Sequence, residues 1–357
     1  MAKLPPPVAR LRAAVRGALA DLPADSLVLV ACSGGPDSLA LADTLAFCAP
    51  RMGLRAGLVT VDHGLQDGSD ERAAEVAAWA GTVGLDPVEA VAVEVGVAGG
   101  PEGAARTARY AALDAAGRRH GAGAILLGHT RDDQAETVLL ALARGGGPRG
   151  VAGMRAVRGR YRRPLLGISR ADTHAVCAER GLKPWNDPHN TDPRYLRSAL
   201  RPAMDVLVAT LGADLVANLA QTAALVGADT DYLDGVAREA LEACRAGGDA
   251  GAGVADGAVA GGLDAKRVAA LAGPVRQRVL RAWVLEAEVD GAELNHRHLD
   301  AVDALAADWR GQGPTFLPGG IEVRRSGGKL TAVAATGEPG SQGPRLARAD
   351  RPEPGQH

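Results

Sequence analysis

A glycine-rich turn between a buried strand and a helix is the feature that most constrains how this chain folds. Residues 27–32 form a short apolar run, and residues 39–47 have the apolar spacing of a helix. The turn between them has the sequence Ser33-Gly34-Gly35-Pro36-Asp37-Ser38. Glycines let backbone N–H groups approach a ligand closely, and the following helix directs its positive end at the same place. We therefore predict a phosphate-binding loop, which is neither a Walker A loop nor a G-x-G-x-x-G fingerprint.

Predicted strands and helices alternate after this turn. Further strands are expected at 55–61, 87–95 and 124–127, with helices at 8–20, 69–83, 102–120 and 131–144. The alternation predicts an α/β fold with a doubly wound parallel sheet, in which ligands bind beyond the carboxyl ends of the strands. Asp37, Asp62 and His129 all follow predicted strand ends.

The turn resembles the pyrophosphate loop of the PP-loop ATP pyrophosphatases, because it places Ser-Gly-Gly-x-Asp-Ser directly after a strand. That family cleaves ATP between the α and β phosphates and leaves AMP on a substrate. The resemblance implies that ATP and Mg²⁺ are the cofactors and that Asp37 holds the metal. The ATP-binding residues it implies are Ser33, Gly34, Gly35, Pro36, Asp37, Ser38, Asp62, His63 and His129.

Length and composition indicate two domains in a cytoplasmic protein. With 357 residues, the chain is long enough for a PP-loop domain at 1–205 and a smaller, mainly helical domain at 206–335 that ends in a hairpin. The tail at 336–357 is rich in Gly, Pro and charge and is predicted to be disordered. Trp283 and Trp309 are predicted core residues. No signal peptide and no apolar run of bilayer length are present, so we expect no membrane partner. The four cysteines form no C-x-x-C pair of the kind used for zinc or redox chemistry.

An arginine-rich segment follows the alternating elements. Between Arg144 and Arg170 there are eight arginines and no acidic residue, and Gly145-Gly146-Gly147 lies within the segment. A charge run is often only a solvated face, but the absence of interspersed acids favours a surface that binds a polyanion, with nucleic acid as the expected partner.

Two stretches carry candidate catalytic charges. Glu102, Arg106 and Arg109 share one face of a predicted helix, where a salt-bridged surface is the alternative interpretation. A second set of acids begins the helix after His129: Asp132, Asp133 and Glu136. These carboxylates could hold Mg²⁺ or bind a substrate ammonium, or could only cap the helix and stabilise its dipole.

These stretches, with Asp62–Leu65, Arg163-Pro164-Leu165-Leu166 and Asp187–Arg201, are similar to the tRNA(Ile)-lysidine synthetase family over about residues 25–205. In that family, O2 of the wobble cytidine in a CAU anticodon is adenylated, and the ε-amine of free lysine then displaces AMP at C2. The resemblance therefore implies tRNA(Ile) with a CAU anticodon and L-lysine as partners, with a homodimer as one alternative for the oligomeric state.

The resemblance also implies roles for individual residues. Arg106, with Arg109 as a second candidate, would neutralise charge on the α-phosphate. Asp132, Asp133 and Glu136 would bind the lysine ammonium or help deprotonate its amine, and the sequence does not divide these roles. The residues expected to contact tRNA are Arg144, Arg149, Arg155, Arg158, Arg160, Arg162, Arg163, Asn190, Arg197 and Arg201. Ser198 stands where an asparagine is expected after Arg197, so an asparagine contact there is in doubt.

Two other functions remain as alternatives. A PP-loop tRNA thiolase shares the fold, but thiolation requires paired cysteines or an iron–sulfur site that four scattered cysteines do not suggest. A non-catalytic nucleotide- or RNA-binding protein with the same fold is the other alternative. The retained acids and Arg106 argue against it, because a decayed site would have lost some of them.

Overall fold

The first sheet is built from five parallel strands and one antiparallel edge strand. We describe a computed structural model, which covers residues 4–64, 68–93, 96, 100–185, 196–245, 259–289, 291 and 293–334. The strands are β1 (Leu27–Ala31), β2 (Arg55–Asp62), β3 (Val88–Ala92), β4 (Ala124–Leu127), β5 (Val157–Arg158) and β6 (Tyr161–Arg162), in the order β3-β2-β1-β4-β6-β5. In the register of the central strands, Val30 pairs with Leu58 of β2 and with Leu126 of β4.

Helices cover both faces of this sheet. The helices in this part of the chain are α1 (Pro6–Leu19), α2 (Pro36–Cys48), α3 (Ser69–Thr82), α4 (Gly100–Arg119), α5 (Arg131–Ala143), α6 (Pro148–Val151), α7 (Arg170–Glu179), α8 (Leu196–Leu211) and α9 (Leu215–Cys244). Helices α1, α2, α3 and α7 pack on one face and α4 packs on the other. Alternate residues of β1 enter different cores: Val28 and Val30 pack with α1, α2 and α7, whereas Leu29 and Ala31 pack with α4. Because both faces are buried, the strand is apolar throughout. The predicted α/β fold is confirmed.

A smaller unit follows, with its own core. It contains β7 (Leu263–Asp264), α10 (Ala265–Ala269), α11 (Gly273–Glu286), α12 (His296–Ala307), β8 (Thr315–Leu317), β9 (Ile321–Ser326) and β10 (Lys329–Ala334). The four strands form an antiparallel sheet in the order β7-β10-β9-β8. Trp283 is fully buried and its indole donates to the Gly261 carbonyl at 2.6 Å, so the core prediction is confirmed. The same prediction is wrong for Trp309, which is 39% exposed beside the Arg325 guanidinium.

The chain divides into compact units at residues 1–230 and 231–357. The predicted domain boundary after residue 205 stays a prediction. The predicted disordered tail lies outside the described residues. So does most of residues 246–262, a glycine-rich stretch that the sequence predicts to be a flexible loop, since 246–258 are not described. In the part that the structure describes, no single helix is long and apolar enough to cross a membrane, although the bent pair Ser198–Leu211 and Leu215–Cys244 passes that test together.

Candidate active site

The turn after β1 forms a closed loop held by its own hydroxyl groups. The Ser38 hydroxyl donates to the Gly35 carbonyl at 3.0 Å and accepts from the Ser33 backbone N–H at 3.2 Å. Gly34 has a φ of +82°, and a Cβ there would lie 2.9 Å from Nε of Arg72 on α3. Glycine is therefore favoured at this position, because other residues rarely adopt the left-handed backbone.

Two helices direct their N-termini at this loop. Arg180 near the end of α7 pairs with Asp43 of α2 through two bonds of 2.9 and 3.1 Å. At the other end, the Thr173 hydroxyl donates to Asp37, so α2 and α7 run in the same direction. Both N-termini consequently point toward one place, which favours an anion there.

A cavity of about 300 Å³ lies in front of the two N-termini, and we call it the loop cavity. Its floor includes Gly128 at the end of β4, where a Cβ would lie only 3.2 Å from the backbone of Ser38. The residues that line it are Ser33, Gly35, Pro36, Asp37, Ser38, Arg109, Gly128, His129, Arg170, His174 and Arg201. Three guanidinium groups against one carboxylate make the cavity suited to a polyphosphate.

Asp37 is the one carboxylate among the described residues that line the loop cavity. Burial raises its pKa, an effect that the hydrogen bond from Thr173 opposes and the charge of Asp133 reinforces. Within the described residues, no group of three His, Cys, Asp or Glu side chains could hold a metal alone. Mg²⁺ commonly binds through one or two carboxylates together with substrate phosphates, so a single carboxylate beside a phosphate loop fits that ion.

The three acids of α5 have different partners. Asp133 forms a capping box with Thr130, whose backbone N–H donates to it at 2.7 Å, and its second oxygen accepts from the Arg170 guanidinium at 3.0 Å. Burial opposes ionisation, but the bonds from Thr130 and the charge of Arg170 keep the pKa of Asp133 below its ordinary value. Asp132 accepts the backbone N–H of Arg170 at 2.8 Å. Both aspartates therefore hold helix ends in place.

Glu136 differs because one of its carboxylate oxygens is buried without a donor among the described residues. The residue is 2% exposed, and its Oε1 lies 3.1 Å from the Arg170 guanidinium and 3.4 Å from Nε of Arg201. Its Oε2 is buried and accepts no hydrogen bond from any residue that the structure describes. A buried carboxylate oxygen without a donor is costly, so this atom is suited to receive a cationic group of a ligand.

A second cavity, of about 630 Å³, shares Arg109 with the loop cavity, and we call it the Tyr110 cavity. Arg109 makes no hydrogen bond or ion pair with any described residue, and burial lowers the pKa of its guanidinium. Arg106 is exposed and lies over the Tyr110 ring, with 5.0 Å from its guanidinium carbon to the ring centre. Of the two arginines, Arg109 reaches both cavities, whereas the sequence favoured Arg106.

Two of the histidines beside the cavities, His129 and His63, have lowered pKa values. Burial, with the nearby charge of Arg109, lowers the pKa of His129 to about 3, and its Nδ1 is buried without a partner among the described residues. Burial likewise lowers the pKa of His63, which lines the Tyr110 cavity. Asp62 accepts the Gly64 backbone N–H at 2.9 Å and so shapes the turn after β2.

The arginine-rich segment divides into exposed and buried side chains. Arg144, Arg149 and Arg158 are exposed, and the first two line the Tyr110 cavity. Arg155 donates to the Gly227 carbonyl at 2.9 Å, and Arg160 lies against α4 at Gly117.

The last two arginines of the segment are buried. Arg162 donates to Asp21 and to the Ala18 carbonyl, whereas Arg163 donates to the Arg155 carbonyl and to the Tyr110 hydroxyl. We therefore exclude Arg162 and Arg163 from the residues that we propose to contact tRNA.

Three predicted site residues cannot be compared with the structure. Asn190 is outside the described residues, as are the side chains of Glu102 and Arg197. Conversely, the sequence pattern did not reveal three residues of α7: Arg170, Thr173 and His174 line or support the loop cavity. The sequence feature that could have indicated the start of α7 is Ser169. It caps the helix and accepts the Asp172 N–H at 3.1 Å.

Two family models and several known proteins match this chain. Residues 10–206 match the model of the PP-loop domain, and residues 263–331 match the model of the TilS substrate binding domain. A tRNA(Ile)-lysidine synthase of Salinispora tropica is 54% identical over 96% of this chain and 100% of its own length. The enzymes of the same name from Thermobifida fusca and Streptomyces coelicolor are 53% and 56% identical over 92% and 87% of this chain, and over 98% and 86% of their own lengths.

A solved structure supports the fold alone. The U34-tRNA thiolase NcsA of Methanococcus maripaludis, with its [4Fe-4S] cluster, matches with a TM-score of 0.51. The match covers 61% of this chain and 78% of the thiolase at 17% identity, which is too distant to carry an activity across.

Proposed function

This chain belongs to the tRNA(Ile)-lysidine synthase family, and we propose that it joins lysine to C2 of the wobble cytidine in tRNA(Ile) with a CAU anticodon. The observation that carries the proposal is the pairing of an anion-binding loop cavity with a buried oxygen of Glu136 that has no partner among the described residues. The first suits ATP and the second suits an ammonium. A ligase that joins an amine to an adenylated substrate needs both.

In the first step, cytidine O2 attacks the α-phosphorus of ATP and pyrophosphate leaves. The loop at 33–38 and the N-termini of α2 and α7 hold the phosphates. Asp37 would hold Mg²⁺, which would neutralise phosphate charge there. Arg109 lies where the two cavities meet, so its guanidinium can stabilise the charge on the α-phosphate. Arg106, which is exposed and lines the Tyr110 cavity, would then contact the tRNA.

In the second step, the lysine ε-amine attacks C2 and AMP leaves with the former O2. The attacking amine must be neutral, so a buried carboxylate that kept it charged would slow the reaction. We therefore assign the free oxygen of Glu136 to the α-ammonium of lysine and Arg201, which lies beside it, to the α-carboxylate. Asp132 and Asp133 position Arg170 and balance the charge around it.

The anticodon arm would approach the Tyr110 cavity. In the arginine-rich segment, Arg144, Arg149 and Arg158 are exposed and would contact the phosphates of the tRNA. Binding through such contacts is sensitive to salt. The match of residues 263–331 to a substrate binding domain supports a second tRNA contact in the smaller unit.

No observation favours the alternative of a thiolase. Iron–sulfur clusters are held by cysteine thiolates, but all four cysteines are buried and none of them lines the loop cavity. An inert nucleotide-binding protein is also disfavoured, because a free buried carboxylate oxygen beside the cavity would then have no partner.

The proposal is tested by incubating the protein with ATP, Mg²⁺, labelled lysine and unmodified tRNA(Ile) bearing CAU. We expect label in the tRNA, together with AMP and pyrophosphate. A transcript with uridine at the wobble position is the matched control and should stay unlabelled. Failure to label the CAU transcript, or equal labelling of the control, would contradict the proposal.

A further inference from the structure

Thr173 is a buried residue that neither the motif nor the reaction above accounts for. It lies in the first turn of α7, is 0% exposed and donates to Oδ1 of Asp37 on α2. Asp37 Oδ2 takes no hydrogen bond from any described residue, and Asp37 lines the loop cavity. One carboxylate oxygen is thus fixed while the other stays available.

The Thr173 hydroxyl has a choice between two acceptors. It also lies 2.7 Å from the carbonyl of Arg170, the usual acceptor for a threonine inside a helix. A hydroxyl has one hydrogen, so it cannot serve both oxygens at once. An ionised carboxylate is the stronger acceptor and is also the nearer one here, so the hydrogen goes to Asp37.

A role in capping α7 does not explain this contact. Ser169 caps the helix and accepts the Asp172 N–H, so α7 begins without help from Thr173. Thr44 on α2 shows what a threonine with a purely helical role does. It is 3% exposed, and its hydroxyl donates at 2.7 Å to the Ala40 carbonyl. Among the described residues, this hydroxyl donates to no carboxylate.

We propose that Thr173 is a positioning residue for Asp37, holding Oδ1 so that Oδ2 faces the metal-bound phosphates of ATP. The inference rests on the proposed function, because it assumes Mg²⁺·ATP in the loop cavity. It gives a reason for the contact between the first turn of α7 and Asp37 on α2. It also assigns a specific part of the nucleotide site to an element outside the phosphate loop.

The test is calorimetric binding of α,β-methylene ATP, which resists cleavage at the bond that the reaction breaks. Thr173→Val removes the hydroxyl and keeps the shape, and we expect it to weaken binding with Mg²⁺ about tenfold. Binding without metal should change by less than about twofold, and Thr173→Ser should restore the wild-type value to within about twofold. Thr44→Val removes a matched buried hydroxyl and should leave both affinities unchanged.

A double mutant separates positioning from a general effect on the pocket. In an Asp37→Asn background, Thr173→Val should change Mg²⁺-dependent binding by less than about twofold. An equal loss with and without metal, or the same tenfold loss in the Asp37→Asn background, would overturn the inference. If Thr173→Val does not fold, as judged by its thermal unfolding, Thr173→Ala takes its place in the same cycle.

The wild-type protein distinguishes this inference from the function on which it rests. If the wild type transfers lysine and binds the analogue with Mg²⁺, but Thr173→Val binds it equally well, only the positioning role fails. If the wild type transfers no lysine to the CAU transcript, the proposed function fails whatever the variants show.

Discussion

The loop cavity and the Tyr110 cavity differ in how their charged residues are used. Around the loop cavity, several charged groups are held by partners within the fold: Asp133 and Asp132 hold Arg170, and Thr173 holds Asp37, whereas Arg109 has no such partner among the described residues. The Tyr110 cavity is bordered by exposed arginines, Arg106, Arg144 and Arg149. Paired charges fix a small ligand in one geometry, whereas exposed charges bind a long polyanion without fixing it. The difference suits ATP and lysine on one side and tRNA on the other.

The largest effect is expected at Asp37. Asp37→Ala removes the carboxylate that faces the phosphates, so lysine transfer should fall by at least about 100-fold. Binding of tRNA, measured by filter retention, should change little, because the exposed arginines are untouched. Near-normal transfer by the variant would remove the metal role from Asp37.

Separate replacement of Glu136 and Asp133 tests whether these two acids of α5 have different roles. Glu136→Gln keeps the shape but removes the charge of the free oxygen, so the lysine concentration for half-maximal rate should rise about 10- to 100-fold. The ATP requirement should change far less, and pyrophosphate release with tRNA should persist when lysine is omitted. The matched variant Asp133→Asn should lower the midpoint of thermal unfolding, because it weakens the capping box. A Glu136→Gln protein that loses ATP binding but keeps its lysine requirement would assign this acid to the metal.

Sequence and structure agree most closely where local geometry decides the outcome. The strand, turn and helix around Gly34 could be predicted because a left-handed glycine before a helix has few alternatives. The division of labour among Asp132, Asp133 and Glu136 could not, since it depends on Arg170, which is distant in sequence. Periodicity along α5 gives the spacing of the acids but not the partners that another helix supplies.

The arginine-rich segment is a second case in which the sequence does not show which side chains are buried. Its charge is visible in the sequence, but Arg158 is exposed while Arg162 is buried against α1 and Asp21. Arg158 and Arg162 lie on the short strands β5 and β6, and only β6 pairs with the central sheet. Strands of two residues carry too little pattern for a sequence to show which of them is central.

A salt titration tests whether the exposed arginines beside the Tyr110 cavity and on β5 bind a polyanion. Replacing Arg144, Arg149 and Arg158 together by Ala should reduce the log–log dependence of tRNA affinity on salt by about 0.7–0.9 for each phosphate that the variant no longer neutralises. Arg162→Ala is the buried control, which should lower the midpoint of thermal unfolding and leave the salt slope unchanged. An unchanged slope in the triple variant would make these arginines a solvated surface only.

The smallest expected effect concerns pH and His129. Its pKa is lowered to about 3 from an ordinary value of 6.5, so folding favours the neutral ring. The associated stability is complete above the ordinary pKa and is lost as the pH falls toward the lowered one, by at most about 1.4 kcal/mol per pH unit. His129→Gln should therefore lose less unfolding free energy than the wild type between about pH 6.5 and about pH 4.5, measured with urea. An equal loss in both proteins would mean that the ring is not buried neutral.

The fate of cytidine O2 tests the central claim most directly. A CAU transcript carrying heavy oxygen at O2 of the wobble cytidine would be incubated with the protein, ATP, Mg²⁺ and lysine, and the products analysed by mass spectrometry. If O2 is adenylated and lysine then displaces AMP, we expect the heavy oxygen in AMP and the cytidine to gain lysine less one water. Heavy oxygen retained in the modified tRNA, or released into pyrophosphate or water instead of AMP, would contradict the account.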